Sequence, residues 1–131
     1  MIKDIEEKFS LLNLTKGKLP SLPFAIMKEY VLGKNYSLSL VFISEKKSQE
    51  LNKTYRQKNK PANILSFPYD KKTGEIFICI ATAKKQAKDF DRTWEHFIGF
   101  LVIHGMLHLK GMEHSSTMER KEVLFSKKFG C

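Results

Sequence analysis

The sequence predicts a single α+β domain over residues 1–131, in which a small mixed β-sheet of about four strands packs on helices around one central buried helix. Three observations lead to this fold class. The length of 131 residues fits one hydrophobic core. Residues 94–110 are apolar on most sides of a helix, which is typical of a buried helix. Before this segment, strand-like apolar patterns alternate along the chain with helical ones.

The first third of the chain predicts one helix followed by one strand. Residues 2–14 fit either an edge strand or an irregular lead-in. The apolar spacing of residues 22–32 predicts a helix, because Pro23 suits its first turn and Gly33 suits its C-terminal cap. Residues 37–43 begin with strict polar–apolar alternation and end apolar, so we expect a strand there.

A second helix is predicted over residues 45–56. Ser44 is a favoured N-cap, and we expect Leu51 and Tyr55 to lie on the packed face.

Two further strands and a short helix follow. Residues 63–69 and 75–80 both have strand character. The short turn at residues 70–74 predicts that these two strands pair in antiparallel fashion. Residues 81–90, which are rich in alanine and lysine, predict a short helix.

The last two predicted helices begin at recognisable caps. Asp91 or Thr93 caps the central helix, residues 94–110. Ser116 and Glu119 have the spacing of a capping box and open a final helix that reaches about residue 128.

Composition and charge indicate which class of partner the protein binds and in which compartment it is found. Lys and Arg number 23 against 14 Asp and Glu, so the formal net charge is +9, which favours nucleic acid or another polyanion. A lysine-rich surface that serves solubility is the alternative. The longest apolar runs are too short for a transmembrane helix, and the charged N-terminus is unlike a secretory signal, so no membrane association is expected. Two cysteines, Cys79 and Cys131, form no disulfide framework, so we expect a cytoplasmic protein.

The central helix carries histidines at the spacing of a metal site. His104 and His108 are four residues apart, which on a helix is about 40° of rotation and about 6 Å of rise, so both rings leave one face. Gly111 can end the helix and let the chain bring His114 back to the same point. Three histidines with an open fourth position make a common catalytic zinc site. A hydrogen-bonded core histidine is the alternative for each of them.

Zinc is the expected metal, with nickel or copper also compatible with imidazole ligands. In zinc proteases of the HExxH type, a glutamate that acts as general base follows the first histidine. Gly105 stands at that position here, and it cannot carry a proton, so peptide hydrolysis is disfavoured.

Three blocks of this sequence resemble the YbeY family of bacterial endoribonucleases. Residues 104–114, HGMLHLKGMEH, are similar to its signature H-G-x-L-H-L-x-G-Y-D-H. Residues 51–68 resemble its block L-N-x-x-Y-R-x-x-[DN]-K-P-T-[DN]-V-L-S-F-P, and residues 74–79 resemble its strand G-D-I-x-I-C. The blocks occur in the family's order. Met112 and Glu113 replace a usual Tyr or His and a usual Asp.

The resemblance implies a specific site and function. It implies one zinc ion held by His104, His108 and His114, with Arg56 in a basic cleft. It also implies metal-dependent cleavage of single-stranded RNA, in maturation of the 3′ end of small-subunit rRNA and in ribosome quality control. The nucleophile would be a zinc-bound water or a metal-assisted 2′-hydroxyl. The partners would then be rRNA and the small ribosomal subunit or its proteins.

Arg56 and Glu113 are the candidate catalytic residues. Arg56 could hold a phosphate in bidentate fashion, or it could be a surface cation in an ion pair. Glu113 could accept a proton or hydrogen-bond a histidine, or it could be a solvated turn carboxylate. Two other functions stay open: a non-catalytic ribosome-assembly factor with a structural metal, and a zinc hydrolase of another substrate.

Overall fold

Four strands form one mixed sheet in this computed structural model, which describes residues 8–113 and 115–131. The strands, with order β1–β2–β4–β3 across the sheet, are β1 Phe9–Asn13, β2 Ser37–Phe42, β3 Ile64–Asp70 and β4 Thr73–Ile78. β2 pairs in parallel with β1 and β4, and β3 pairs antiparallel with β4, which confirms the predicted hairpin. β1 is an edge strand, which was one of the two alternatives for residues 2–14, and residues 2–7 of that segment lie outside the described residues.

Five α-helices occur in the described parts of the chain. They are α1 Phe24–Leu32, α2 Glu45–Arg56, α3 Ile80–Gln86, α4 Trp94–Leu109 and α5 Ser116–Phe129. Their predicted caps are confirmed at Gly33, at Ser44, which accepts from the backbone of Lys47, and at Thr93, which accepts from the backbone of His96. Within this part of the chain, no helix combines the length and the apolarity needed to cross a membrane.

Two sequence-based details at helix ends are wrong. The helix expected over residues 81–90 breaks, because α3 ends at Gln86 and residues 87–90 continue as a tighter 3₁₀ turn. The N-cap of α5 is Ser115, whose hydroxyl accepts from the backbone of Met118 at 3.2 Å. Ser115 has extended backbone whereas Ser116 is already helical, so only Ser115 is placed to cap.

Helix α4 is the buried centre of the molecule, as predicted. Ten of its sixteen residues are buried, and it packs against the sheet face that carries Leu40 and Ile76. Gly105 lies directly against the side chains of β3. A Cβ there would lie 2.7 Å from Ile64 Cδ1 and 2.9 Å from Ser66 Oγ. Position 105 therefore faces the sheet, and its lack of a side chain sets the distance between helix and strand.

The packed side of α2 differs from the prediction. Tyr55 is 61% exposed and rests edge-on against Phe67, with ring centroids 5.2 Å apart. The residues of α2 that are buried are Ser48 and Asn52. These polar side chains are buried because they hydrogen-bond the segment that follows the helix, so an apolar pattern could not reveal them.

Candidate functional site

His104 and His108 converge near the C-terminal end of α4. Their Nε2 atoms lie 3.0 Å apart, and their rings meet edge to face at 81°. Both histidines are partly exposed, in contrast to the buried residues around them on the helix. The four-residue spacing thus brings the two rings to one point on one face, as expected from the sequence.

The second nitrogen of each ring is fixed by a hydrogen bond. His104 Nδ1 lies 2.5 Å from Glu122 Oε1, and His108 Nδ1 lies 3.0 Å from the carbonyl oxygen of Met112. A carboxylate and a carbonyl are acceptors, so both Nδ1 atoms donate, and in a neutral ring Nε2 then carries the lone pair. This is the tautomer that a metal-binding histidine needs.

The two imidazoles fit a zinc-sized cation. The two Nε2 atoms lie 3.0 Å apart, close enough for both to bind one ion. Zinc bonds of about 2.0–2.1 Å in a tetrahedral site place two nitrogen ligands about 3.3 Å apart, within a few tenths of an ångström of the separation here. The donor type, the tautomer and the distance therefore all suit a metal.

Glu122 is a site residue that sequence reasoning missed. It lies on α5, 18 residues from His104, and is only 8% exposed. Met118 and Phe125 are the buried apolar residues on either side of it along the helix. A carboxylate between buried apolar residues of a helix requires a polar partner. This requirement is the sequence feature that could have identified Glu122.

An aromatic residue on α4 stacks against one of the two site histidines. The ring of Phe100 stacks against His104 with centroids 6.4 Å apart. The guanidinium of Arg92 lies 4.4 Å from the centre of the Phe100 ring. His104 is thus restrained by stacking as well as by its carboxylate partner.

The histidine pair opens into a cleft of about 870 Å³. The residues that line this metal cleft are Arg56, Lys58, Ala62, Asn63, Ile64, Ser66, Pro68, His104 and His108. One wall is α4, and the other is the chain from the end of α2 through β3. Arg56 lies in this cleft, as expected, together with the cation Lys58. Two cations beside two metal-type ligands suit an anionic substrate.

Glu113, the other candidate catalytic residue, does not line the described cleft. Glu113 is exposed in the turn after α4 and is absent from the lining formed by residues 8–113 and 115–131. His114 lies outside the described residues, so the third metal ligand stays a prediction. Gly111, with φ of +97°, ends the helix region before that residue.

Two buried side chains of α2 hold the outer wall of the metal cleft. Asn52 Nδ2 donates to the carbonyl of Lys60 at 2.9 Å. Ser48 Oγ donates to the carbonyl of Ala62 at 2.7 Å and accepts from its backbone N–H at 2.8 Å. Farther along, Asn63 Nδ2 donates to Gln86 Oε1 at 2.7 Å. The segment between Arg56 and β3 is therefore held in place although it has no regular structure.

Asn52→Ala is expected to lower the free energy of unfolding by about 1 kcal/mol, because it removes the hydrogen bond that the buried Asn52 amide donates to the Lys60 carbonyl. Urea unfolding measures this change. Gln49→Ala is the matched control, since the bond from Gln49 to Asn59 has the similar length of 2.9 Å but is exposed. An equal loss of stability in both variants would contradict the role of the buried bond.

Comparisons with known proteins identify relatives of this chain. The family model described as "Endoribonuclease YbeY" matches residues 6–129. An Endoribonuclease YbeY from Acholeplasma laidlawii is 42% identical over 91 residues, which cover 66% of each chain. One from Alkaliphilus metalliredigens is 33% identical, over 92% of this chain and 81% of that protein. The alignments with two phytoplasma relatives cover 62% of those proteins.

A solved structure has the same architecture. The solution structure of TM1509 from Thermotoga maritima superposes with a TM-score of 0.67 and 27% sequence identity. The match covers 92% of this chain and 88% of that one. The α+β fold predicted from the sequence is therefore shared with a solved structure.

Proposed function

The chain belongs to the YbeY endoribonuclease family, and from this premise we propose that it is a zinc-dependent endoribonuclease that cuts single-stranded RNA. Its proposed substrate is rRNA near the 3′ end of the small-subunit molecule, with a role in ribosome quality control. The small ribosomal subunit or its proteins are the proposed partners, in the cytoplasm.

One observation carries the catalytic part of this proposal. His104 and His108 direct their Nε2 atoms to one point while both Nδ1 atoms are hydrogen-bonded, and they do so inside a cleft that also contains Arg56 and Lys58. A metal-type donor set in a cationic cleft matches what cleavage of a phosphodiester requires.

Each site residue has an assigned role. His104 and His108, with His114, would hold the zinc ion, which would supply Lewis acidity to the phosphodiester. Arg56 binds a non-bridging phosphate oxygen and balances the negative charge that develops there. Glu113 is exposed and does not line the metal cleft, so the role of proton acceptor is not assigned to it.

The environment of Gly105 favours RNA over peptide as the substrate. A Cβ at position 105 would lie 2.7 Å from Ile64 Cδ1 and 2.9 Å from Ser66 Oγ, so the space that a glutamate side chain needs in HExxH proteases is filled by the sheet. The chain offers no general base there, whereas the cleft offers two cations.

The test is to incubate the zinc-loaded protein with an unstructured RNA and with casein, with and without a chelator. We expect the protein to cleave the RNA but not the casein, and we expect the chelator to stop this cleavage. A 2′,3′-cyclic phosphate end identifies attack by the 2′-hydroxyl, and a 5′-phosphate with a 3′-hydroxyl identifies attack by water. Arg56→Ala, purified in parallel, is the control for contaminating nuclease. Cleavage of casein, or equal RNA cleavage by Arg56→Ala and the parent, would contradict the proposal.

The rRNA step has a separate test in cells. Depletion of the protein is expected to leave small-subunit rRNA with extended 3′ ends, which end mapping detects. Normal ends after depletion would contradict the assignment to rRNA maturation.

A further inference from the structure

Ser66 is a polar residue in an otherwise apolar row on the β3 wall of the metal cleft. Ile64, Ser66 and Pro68 are alternate residues of β3, so their side chains share one face of the strand, and all three line the cleft. Ser66 is paired across the sheet with Ile76, which is fully buried. A hydroxyl beside such neighbours requires a hydrogen-bond partner, either in the protein or in a ligand.

The hydroxyl of Ser66 lies close to the histidine pair. A Cβ at position 105 would be 2.9 Å from Ser66 Oγ, and residue 105 directly follows His104 in the sequence. His104 and His108 line the same cleft as Ser66. The hydroxyl therefore lies where β3 meets the turn of α4 that carries His104.

Ser66 Oγ is available to a ligand. Within residues 8–113 and 115–131 it makes no hydrogen bond to the protein, and it is not among the fully buried polar atoms. Ser48 shows the contrasting case of a structural serine, because its hydroxyl both donates to and accepts from the backbone of Ala62. Ser66 can donate its proton to a ligand without breaking a contact inside the protein.

The charges of the metal cleft indicate which ligand the hydroxyl meets. Among the described residues that line the cleft, Arg56 and Lys58 are cations and none is a carboxylate. A phosphate group is an anion whose oxygens accept hydrogen bonds from arginine, lysine and serine side chains. The cations attract such a group, and the short serine side chain can give a directional contact to one of its oxygens.

We propose that Ser66 Oγ donates a hydrogen bond to a non-bridging oxygen of the phosphate that binds beside His104 and His108. Ser66 is then a further substrate-binding residue of the site. Because β3 is fixed by its pairing with β4, the donor is in position before the substrate arrives. The choice of a phosphodiester rests on the proposed function, but the contact itself requires no cleavage.

The contact is tested by isothermal titration of the zinc-loaded protein with uridine 3′-monophosphate, which carries a phosphate but contains no phosphodiester bond. Ser66→Ala is expected to weaken binding by about 10–100-fold, the usual effect of losing one hydrogen bond to a charged group. Uridine without a phosphate should bind equally to Ser66→Ala and the parent. Ser39→Ala is the matched control, because Ser39 is also a partly exposed serine of a strand but does not line the cleft.

Two further measurements separate a phosphate contact from a structural role. The zinc content and the urea midpoint of Ser66→Ala should equal those of the parent, because alanine removes a hydroxyl that has no partner in the described part of the protein. A loss of zinc, or a drop in the urea midpoint large enough to unfold the variant under the titration conditions, would show that Ser66 acts through the metal or the fold, and the phosphate contact would be overturned.

The outcomes also distinguish this contact from the proposed function. Parental affinity of Ser66→Ala for uridine 3′-monophosphate, an equal loss in Ser39→Ala, or no binding by the parent would overturn the contact even if the protein cuts RNA. Binding that depends on Ser66 would support the contact even if the zinc-loaded protein cuts no RNA, and the proposed function would then fail by itself.

Discussion

His108→Ala is expected to lose the bound zinc and to cut RNA at least about 10³-fold more slowly. His108 supplies one of two Nε2 atoms that meet at 3.0 Å, so alanine removes a donor from the point where the ion binds. Metal-ion stabilisation of a transition state amounts to several kcal/mol, and each 1.4 kcal/mol or so is a factor of ten in rate. Zinc content and initial cleavage rate, measured on one preparation, test both parts.

His96→Ala is the matched control for this substitution. His96 is exposed on the same helix, eight residues before His104, which corresponds to about 12 Å along the axis. Its side chain is too far away to share a metal with the pair, so zinc content and rate should equal those of the parent. A His108→Ala protein that is free of metal and still cuts RNA at the parental rate would refute the metal mechanism.

Glu122→Gln is expected to weaken zinc binding by about 10–100-fold without unfolding the protein, as is usual when a partner behind a metal ligand is lost. The amide keeps the size of the side chain and can still accept a hydrogen bond, but it lacks the charge that strengthens the 2.5 Å contact with His104 Nδ1. Competition with a chromophoric chelator measures the affinity. Nitrogen NMR of the imidazole reports whether His104 keeps its tautomer.

Glu119→Gln controls for the loss of one negative charge on α5. Glu119 lies one turn before Glu122 on the same helix but is exposed. We expect less than a twofold change in its zinc affinity, in line with the small effect of an exposed charge. If Glu122→Gln binds zinc as tightly as Glu119→Gln does, the buried contact does not contribute to metal binding.

The parts of the fold that depend on local pattern were predictable from the sequence. Helix α4 was expected at residues 94–110 and spans Trp94–Leu109, because a long apolar segment between Thr93 and Gly111 specifies both its burial and its ends. The hairpin of β3 and β4 was predictable for a similar reason, since a short turn leaves antiparallel pairing as the available arrangement.

The parts that depend on partners distant in the sequence were not predictable from local pattern. Ser48 and Asn52 look like surface positions until the segment after α2 folds back over them. Glu122 is a similar case, because its role depends on a contact with His104, which lies 18 residues earlier in the sequence. The cleft location of Arg56 followed from the family resemblance and is seen in the structure, whereas the spacing of residues in α2 did not reveal it.

The contact at Gly105 determines how the cleft can change shape. The backbone of α4 lies directly against the Ile64 and Ser66 side chains of β3 there, so a close packing contact separates helix and strand. That side of the cleft cannot widen without disrupting the interior. Any adaptation to a bulkier substrate must come from the segment between α2 and β3, which Ser48 and Asn52 hold by hydrogen bonds. Relatives that accept RNA substrates of different bulk should therefore differ at the positions of Ser48 and Asn52, while the contact between α4 and β3 stays the same.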